Sequence, residues 1–196
     1  MRSQQSPSTS PTLLRNARAG NDQAWNELVR IYGPLVIRWT RQYQIAAVDA
    51  DDITQNVFIT VSKNLVHFGQ SPGEHTFRGW LWSVTRTRIL DHLRAKKRLP
   101  ESMSQEQLAE QLGFEELSQD ERLTENHDED LQVVVRAAME LIQQDFSDKT
   151  WNAFYRTVAL GDSPSEVGRD LKMTAAAVCM CRARVLKRLR ETIDEV

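Results

Sequence analysis

The sequence predicts an all-α protein: two small helical domains joined by an acidic linker. Three observations carry this. Apolar residues recur at three- and four-residue spacing from Pro11 to near the end of the chain, with caps, Gly or Pro at the breaks. No β-type alternation of useful length interrupts them. The charge, only −2 over 196 residues, is very unevenly placed. Thr76–Arg98 and Arg169–Arg190 each carry seven cations against one acid, while Glu101–Asp130 carries eleven acids against Arg122 alone. Two basic patches on either side of an acidic bridge suit a phosphate-rich partner, despite the near-neutral total.

The elements follow in order. Residues 1–11, MRSQQSPSTSP, lack an apolar core and read as a disordered tail, not a secretion signal. A first domain is expected over 12–99. Ser10-Pro11 opens a short helix that Gly20-Asn21 ends, and Asp22 is expected to cap the next, with Trp25, Leu28, Ile31 and Tyr32 in one stripe. Gly33-Pro34 is expected to break that helix and start a third through Val36, Trp39, Thr40 and Tyr43. Asp49 is expected to cap a fourth, striped by Ile53, Val57, Val61 and Leu65 with Phe58 beside them. His67–His75 reads as a loop, Thr76–Arg98 as an aromatic and basic helix, and Pro100 as its exit. The linker, 100–129, has weak spacing at Leu108, Leu112 and Leu117 and is expected to hold only transient helix.

The second domain, 130–196, resumes with Leu131, Val134, Val135, Ala138, Leu141 and Ile142. A break at Asp145–Asp148 precedes Trp151, Phe154, Tyr155 and Val158, and Gly161-Asp162 ends that helix. Ser163-Pro164-Ser165-Glu166 is a capping box with proline in the first helical position, and Thr174 caps a long last helix. Lys172 falls where the chain often turns left-handed. Pro164–Arg190 thus has the layout of a helix-turn-helix. Val178, Val185 and Leu189 share one side of its second helix, opposite Ala176, Met180, Ala183, Arg184 and Lys187. Small residues allow close approach to base edges and cations reach phosphates; the alternative is a hairpin with a solvated basic face.

On the aromatic and basic helix, Phe77, Trp80, Leu81, Val84 and Arg88 fall on one side, and Trp82, Arg86, Ile89 and Leu93 on another. One side could be buried while the other stacks unpaired bases and holds their phosphates. The alternative is a core helix with a solvated basic end.

Asp49-Ala50-Asp51-Asp52 with His67 or His75 could suggest metal ligands, but acids at a helix start answer its dipole without a metal. No P-loop, G-x-S-x-G or H-E-x-x-H occurs, so no enzyme chemistry, cofactor or metal is expected. Cys179 and Cys181, two apart on a helix, cannot bridge each other and read as reduced thiols of a cytoplasmic protein. No apolar run reaches membrane-spanning length.

Asp49–Phe58, Phe77–Arg86 and Asp91-His92-Leu93-Arg94 together resemble region 2 of bacterial sigma factors. Ser163–Arg190, with Val178, Arg184, Val185, Leu186 and Leu189-Arg190, resembles their region 4. With only an acidic linker between, the pattern is similar to the extracytoplasmic-function group of the sigma-70 family. The resemblance implies a transcription initiation factor whose partners are core RNA polymerase, through the β′ clamp helices and β subunit, promoter DNA and an anti-sigma factor. It implies polymerase docking by Asp51, Asp52, Gln55, Asn56 and Ile59. The −10 element would be opened and held by the loop from Phe68 to Phe77 with Trp80, Arg86, Thr87, Arg88 and Arg94. The −35 element would be read by Thr174, Ala176, Cys179, Met180, Ala183, Arg184 and Lys187. A different class, a stand-alone helix-turn-helix regulator with a helical dimerisation or sensing domain, remains open on sequence, and a helical metal hydrolase stands a distant third.

Overall fold

The computed structural model describes residues 11–68, 76–100, 103–111 and 127–193. The N-terminal tail, most of the His67–His75 loop, and Leu112 and Leu117 of the linker lie outside these residues. Among those described, all regular structure is helical. The order is α1 (Pro11–Arg18), α2 (Asp22–Gln42), α3 (Ala47–Asn64), α4 (Phe77–Lys97), α5 (Gln105–Gln111), α6 (His127–Ile142), a 3-10 turn (Gln143–Asp145), α7 (Asp148–Val158), α8 (Pro164–Leu171) and α9 (Ala175–Thr192).

Three helix ends differ from the sequence expectation. Asn21, not Asp22, caps α2, its side chain accepting from the Ala24 amide at 2.9 Å, and Asp22 opens the first turn. Pro34 lies inside α2 and does not end it. Proline forfeits the bond to the carbonyl four residues back, but Arg30 and Pro34 are both exposed, so water can serve the orphaned carbonyl. The stripe of Leu28, Ile31, Tyr32, Leu35, Val36 and Trp39 runs buried past the proline, and that burial outweighs the local break. Helix α3 starts at Ala47 after Ala46, which offers no side-chain cap, so Asp49 sits in the first turn. Its carboxylate instead meets His92 Nε2 at 3.4 Å and Lys96 Nζ at 3.5 Å on α4.

Helices α2, α3 and α4 enclose the main core. Leu28, Leu35 and Trp39 of α2 meet Ile53, Val57 and Val61 of α3 and Phe77, Leu81, Trp82 and Ile89 of α4. Each such buried side chain is worth about 1.5–3 kcal/mol over exposure. Tyr32 meets Phe77 edge-on at 4.9 Å between ring centres, and Trp39 meets Trp82 at 5.2 Å. Val134, Ala138 and Leu141 of α6 join the same core, as does Ile193 beyond α9. At the polar edge of this contact Trp39 Nε1 donates to Asp130 at 2.8 Å and Arg38 Nε donates to the same carboxylate at 3.1 Å, while Arg38 also pairs with Glu129. The segment expected as linker, 100–129, therefore includes α5 and the first residues of α6.

The helix-turn-helix carries smaller clusters of its own. Ala153, Val167, Val178 and Cys181 form one, and Ile142, Phe154 and Val185 another. Ser163 and Glu166 form the reciprocal capping box, and Lys172 takes the left-handed turn at φ 51°. Gly168 has a steric reason: a Cβ there would lie 2.7 Å from the Met173 carbonyl oxygen, inside the turn.

Candidate nucleic-acid and polymerase interface

Helix α4 is more deeply buried than its pattern suggested. Phe77 is wholly buried, packed against Tyr32 and Phe68, and presents no face to a base. Trp82, on the side of α4 that also carries Arg86, is buried against Trp39 and stacked on Tyr43 at 6.2 Å. Ile89 on that side is buried too, and Leu93 is half-buried. The two-sided division fails because α2 covers one flank of α4 and α3 another. The α4 residues assigned to strand binding that stay accessible form a strip: Trp80, Arg86, Arg88 and Arg94 half-exposed, Thr87 exposed.

That strip is built by its neighbours. Phe68 lies 5.1 Å from Trp80 and 5.6 Å from Phe77, so its ring props the partly open indole. Arg18 Nη2 donates to the Phe68 carbonyl at 2.8 Å and anchors that strand of chain to α1. Arg88 Nη2 donates to Thr60 Oγ1 at 2.8 Å, and its Nη1 lies 3.5 Å from Asp91. Arg94 donates to the Met103 carbonyl at 2.9 Å and also approaches Asp91 at 3.5 Å. Arg88 and Arg94 are thus engaged within the chain, whereas Arg86, half-exposed, and Thr87, exposed, lie just ahead of them on the helix. The Thr87 hydroxyl donates back to the Ser83 carbonyl at 3.0 Å.

Asp51, Asp52, Gln55, Asn56 and Ile59 all lie exposed on one side of α3, opposite the buried Ile53, Val57 and Val61. Ile59 is 44% exposed, an apolar centre within a polar, acidic surface. On α9, Thr174 caps the helix by accepting from the Ala177 amide at 3.1 Å. Ala176, Met180, Ala183, Arg184 and Lys187 form an exposed face, with Cys179 half-buried at its edge. Met180 is 60% exposed, and Lys187 lies 3.8 Å from Glu191 one turn on. Arg156 braces this unit from α7, reaching Asp162 at 2.7 Å and Asp170 at 2.8 Å. Hydrogen bonds from the Ser163 hydroxyl and then its backbone amide hold the Glu166 carboxyl below the usual carboxylate range.

Sequence reasoning missed two features. The first is α5: Leu108 and Ala109 are completely buried under a helix capped reciprocally by Ser104 and Gln107. The S-x-x-Q signature ahead of Leu108 was the available signal. The second is the Arg38, Trp39 and Asp130 cluster, which joins positions some ninety residues apart and leaves no local trace.

Residues 28–99, spanning most of α2 together with α3 and α4, match Sigma-70 region 2. Over that stretch the chain is similar to the sigma-70 family. The ECF RNA polymerase sigma factor SigE of Mycolicibacterium smegmatis is 36% identical over 97 residues, covering 47% of this chain and 36% of that protein. RNA polymerase sigma factor NccH of Alcaligenes xylosoxydans xylosoxydans is 29% identical over 85 residues, covering 43% and 44%. RNA polymerase sigma factor CnrH of Cupriavidus metallidurans is 27% identical over 85 residues, covering 43% of each. The chain thus spans less than half the length of these relatives. A solved structure of CnrH with the cytosolic domain of CnrY covers 92% of this chain and 94% of its own at 20% identity, with a TM-score of 0.37, too low an overlap to bear on helix arrangement. No described helix is long and apolar enough to cross a membrane.

Proposed function

We propose that this chain is a transcription initiation factor that binds core RNA polymerase, recognises promoter −35 and −10 elements, and melts the −10 region. The observation that carries the reading is the region 2 match over residues 28–99 in a chain that also contains a capped helix-turn-helix with an exposed basic face. In this reading the exposed face of α3 docks on the β′ clamp helices, with Asp51 and Asp52 supplying charge and Ile59 an apolar anchor. The half-open strip of α4 takes the displaced −10 strand: Trp80 stacks on a base while Arg86 and Thr87 reach the backbone or base edges. The α9 face enters the −35 major groove, where Ala176 and Ala183 permit close approach and Arg184 and Lys187 hold phosphates. The β subunit contacts the second helical unit. The chain acts in the cytoplasm, performs no catalysis itself, and is held in check by an anti-sigma protein. Support for that last partner is that the relative CnrH is bound by the cytosolic domain of CnrY.

Run-off transcription with purified core polymerase and genomic fragments tests the proposal. Discrete transcripts that require this chain are expected. Binding of duplex DNA without core polymerase, and no transcript with it, would instead describe a stand-alone regulator.

A further inference from the structure

Helix α5 packs chiefly on α4. It is only seven residues long and belongs to the acidic segment, yet it buries Leu108 and Ala109 completely in the α2–α4 core. Polar contacts fasten it: Gln105 Nε2 donates to Asp91 Oδ1 at 3.2 Å, and Arg94 Nη2 donates to the Met103 carbonyl just before the helix. Arg86, Leu90 and Arg94 are spaced four apart, so they form one row along α4. Leu90 in that row is fully buried, and Arg86 and Arg94 are only partly exposed. Two of the cations assigned above to the −10 strand thus lie beside a covered surface, and one is already spent on a backbone carbonyl.

We propose that α5 is an autoinhibitory strap, which in the free chain lies along the Arg86–Arg94 row of α4 and excludes single-stranded DNA until it lifts. The inference rests on the assignment of α4 to strand binding. Charge favours the closed form, because the strap carries Glu106 and Glu110 and no cation, against Arg86 and Arg94 on α4. Glu106 fits the same arrangement. Its carboxyl is held below the ordinary range mainly by its backbone hydrogen bond and by Ser104, with a smaller contribution from the charge of Arg86. The fastening is also modest in extent, as a reversible cover requires. Two apolar side chains and a few polar bonds hold a single short helix, so it can leave without unfolding the three helices below.

The test is fluorescence anisotropy of a labelled mixed-sequence single-stranded 15-mer with the full-length chain in low salt, without polymerase. Leu108→Glu puts a charge under the strap. Ser104→Ala only removes its cap, so it keeps the test valid if the first variant fails to fold by circular dichroism. A closed strap taxes affinity by its open fraction, so Leu108→Glu should bind about tenfold or more tighter than wild type, and Ser104→Ala less so in the same direction. Adding Arg86→Ala should cancel the gain. Unchanged affinity in both strap variants, with Arg86→Ala still weakening binding, would overturn the strap but keep the strand site. A gain that survives Arg86→Ala would show that α5 covers something other than this row, and would overturn the proposal. No binding by any variant would overturn both the strap and the strand site.

Discussion

Single side chains divide the surface into parts with different tasks. Asp51 and Asp52 are exposed on the first half of α3 and have no structural duty in the core, so replacing both with Lys should leave the fold intact. Both lie beyond the first turn of α3, where the helix dipole adds little, so the cost to stability should be small. Core polymerase binding, followed by co-elution, should fall sharply; binding equal to wild type, or an unfolded double mutant, would remove α3 from the docking role. Asp49, two positions away, behaves differently because it pairs with His92 and Lys96, and its replacement should act on stability. Glu166 supplies a pH dependence. Its pKa is lower folded than unfolded, so its stabilisation is fully present above the ordinary carboxylate value and is lost as pH falls through the folded value. Thermal unfolding of Glu166→Ala should therefore differ from wild type at neutral pH and converge with it as the solution is acidified.

At the scale of elements, the helix-turn-helix was the most legible part of the sequence and α4 the least. The capping box, the proline after it, the left-handed Lys172 and the Thr174 cap are short-range devices, and all four occur in the structure as the sequence implies. Gly168 adds a close approach that no pattern revealed. Gly168→Ala should cost about 1–3 kcal/mol, since the obstructing atom is backbone and a turn this tight has little room to yield. Denaturant unfolding would register it, and a neutral result would mean that the turn yields to the added methyl group. For α4 the helical period correctly placed the residues on a helix but could not say how many neighbours would cover it. Trp39 and Tyr43 close over Trp82 from α2, a contact between positions about forty apart, so residues on both sides of the helical pattern are core. The Pro34 boundary failed similarly: a local rule was outweighed by a stripe of buried residues on both sides of it.

The whole molecule holds α6 against α2 through a shared core and the buried Asp130 carboxylate. A compact chain of this size is about 40 Å across. Two duplex elements two helical turns apart lie about 70 Å apart along the axis. If α4 and α9 read those elements together, the α2–α6 contact has to open. Trp39→Phe deletes the indole donor and leaves Asp130 with Arg38 alone, at a cost of about 1–3 kcal/mol. Small-angle scattering of that variant should show a larger population of extended molecules than wild type, and an identical profile would mean that the apolar part of the contact suffices. None of this contact was visible in sequence, because Asp130 there was one acid among eleven, with nothing to mark it as the buried one.

In the proposed division of labour, α4 opens DNA and α9 positions it. Permanganate reactivity of promoter thymines, at saturating core polymerase and on duplex and pre-melted templates, separates them. The wild-type chain should make a discrete set of thymines reactive on duplex DNA only when polymerase is also present. Arg86→Ala should lose much of this on duplex while retaining the pre-melted template, because stacking and strand contacts worth about 1–3 kcal/mol per base act at the opening step. Arg184→Ala should weaken both templates alike and steepen neither, since its phosphate contact only positions the protein. Equal losses on both templates for Arg86→Ala and Arg184→Ala would contradict the division and make α4 an ordinary duplex-binding surface.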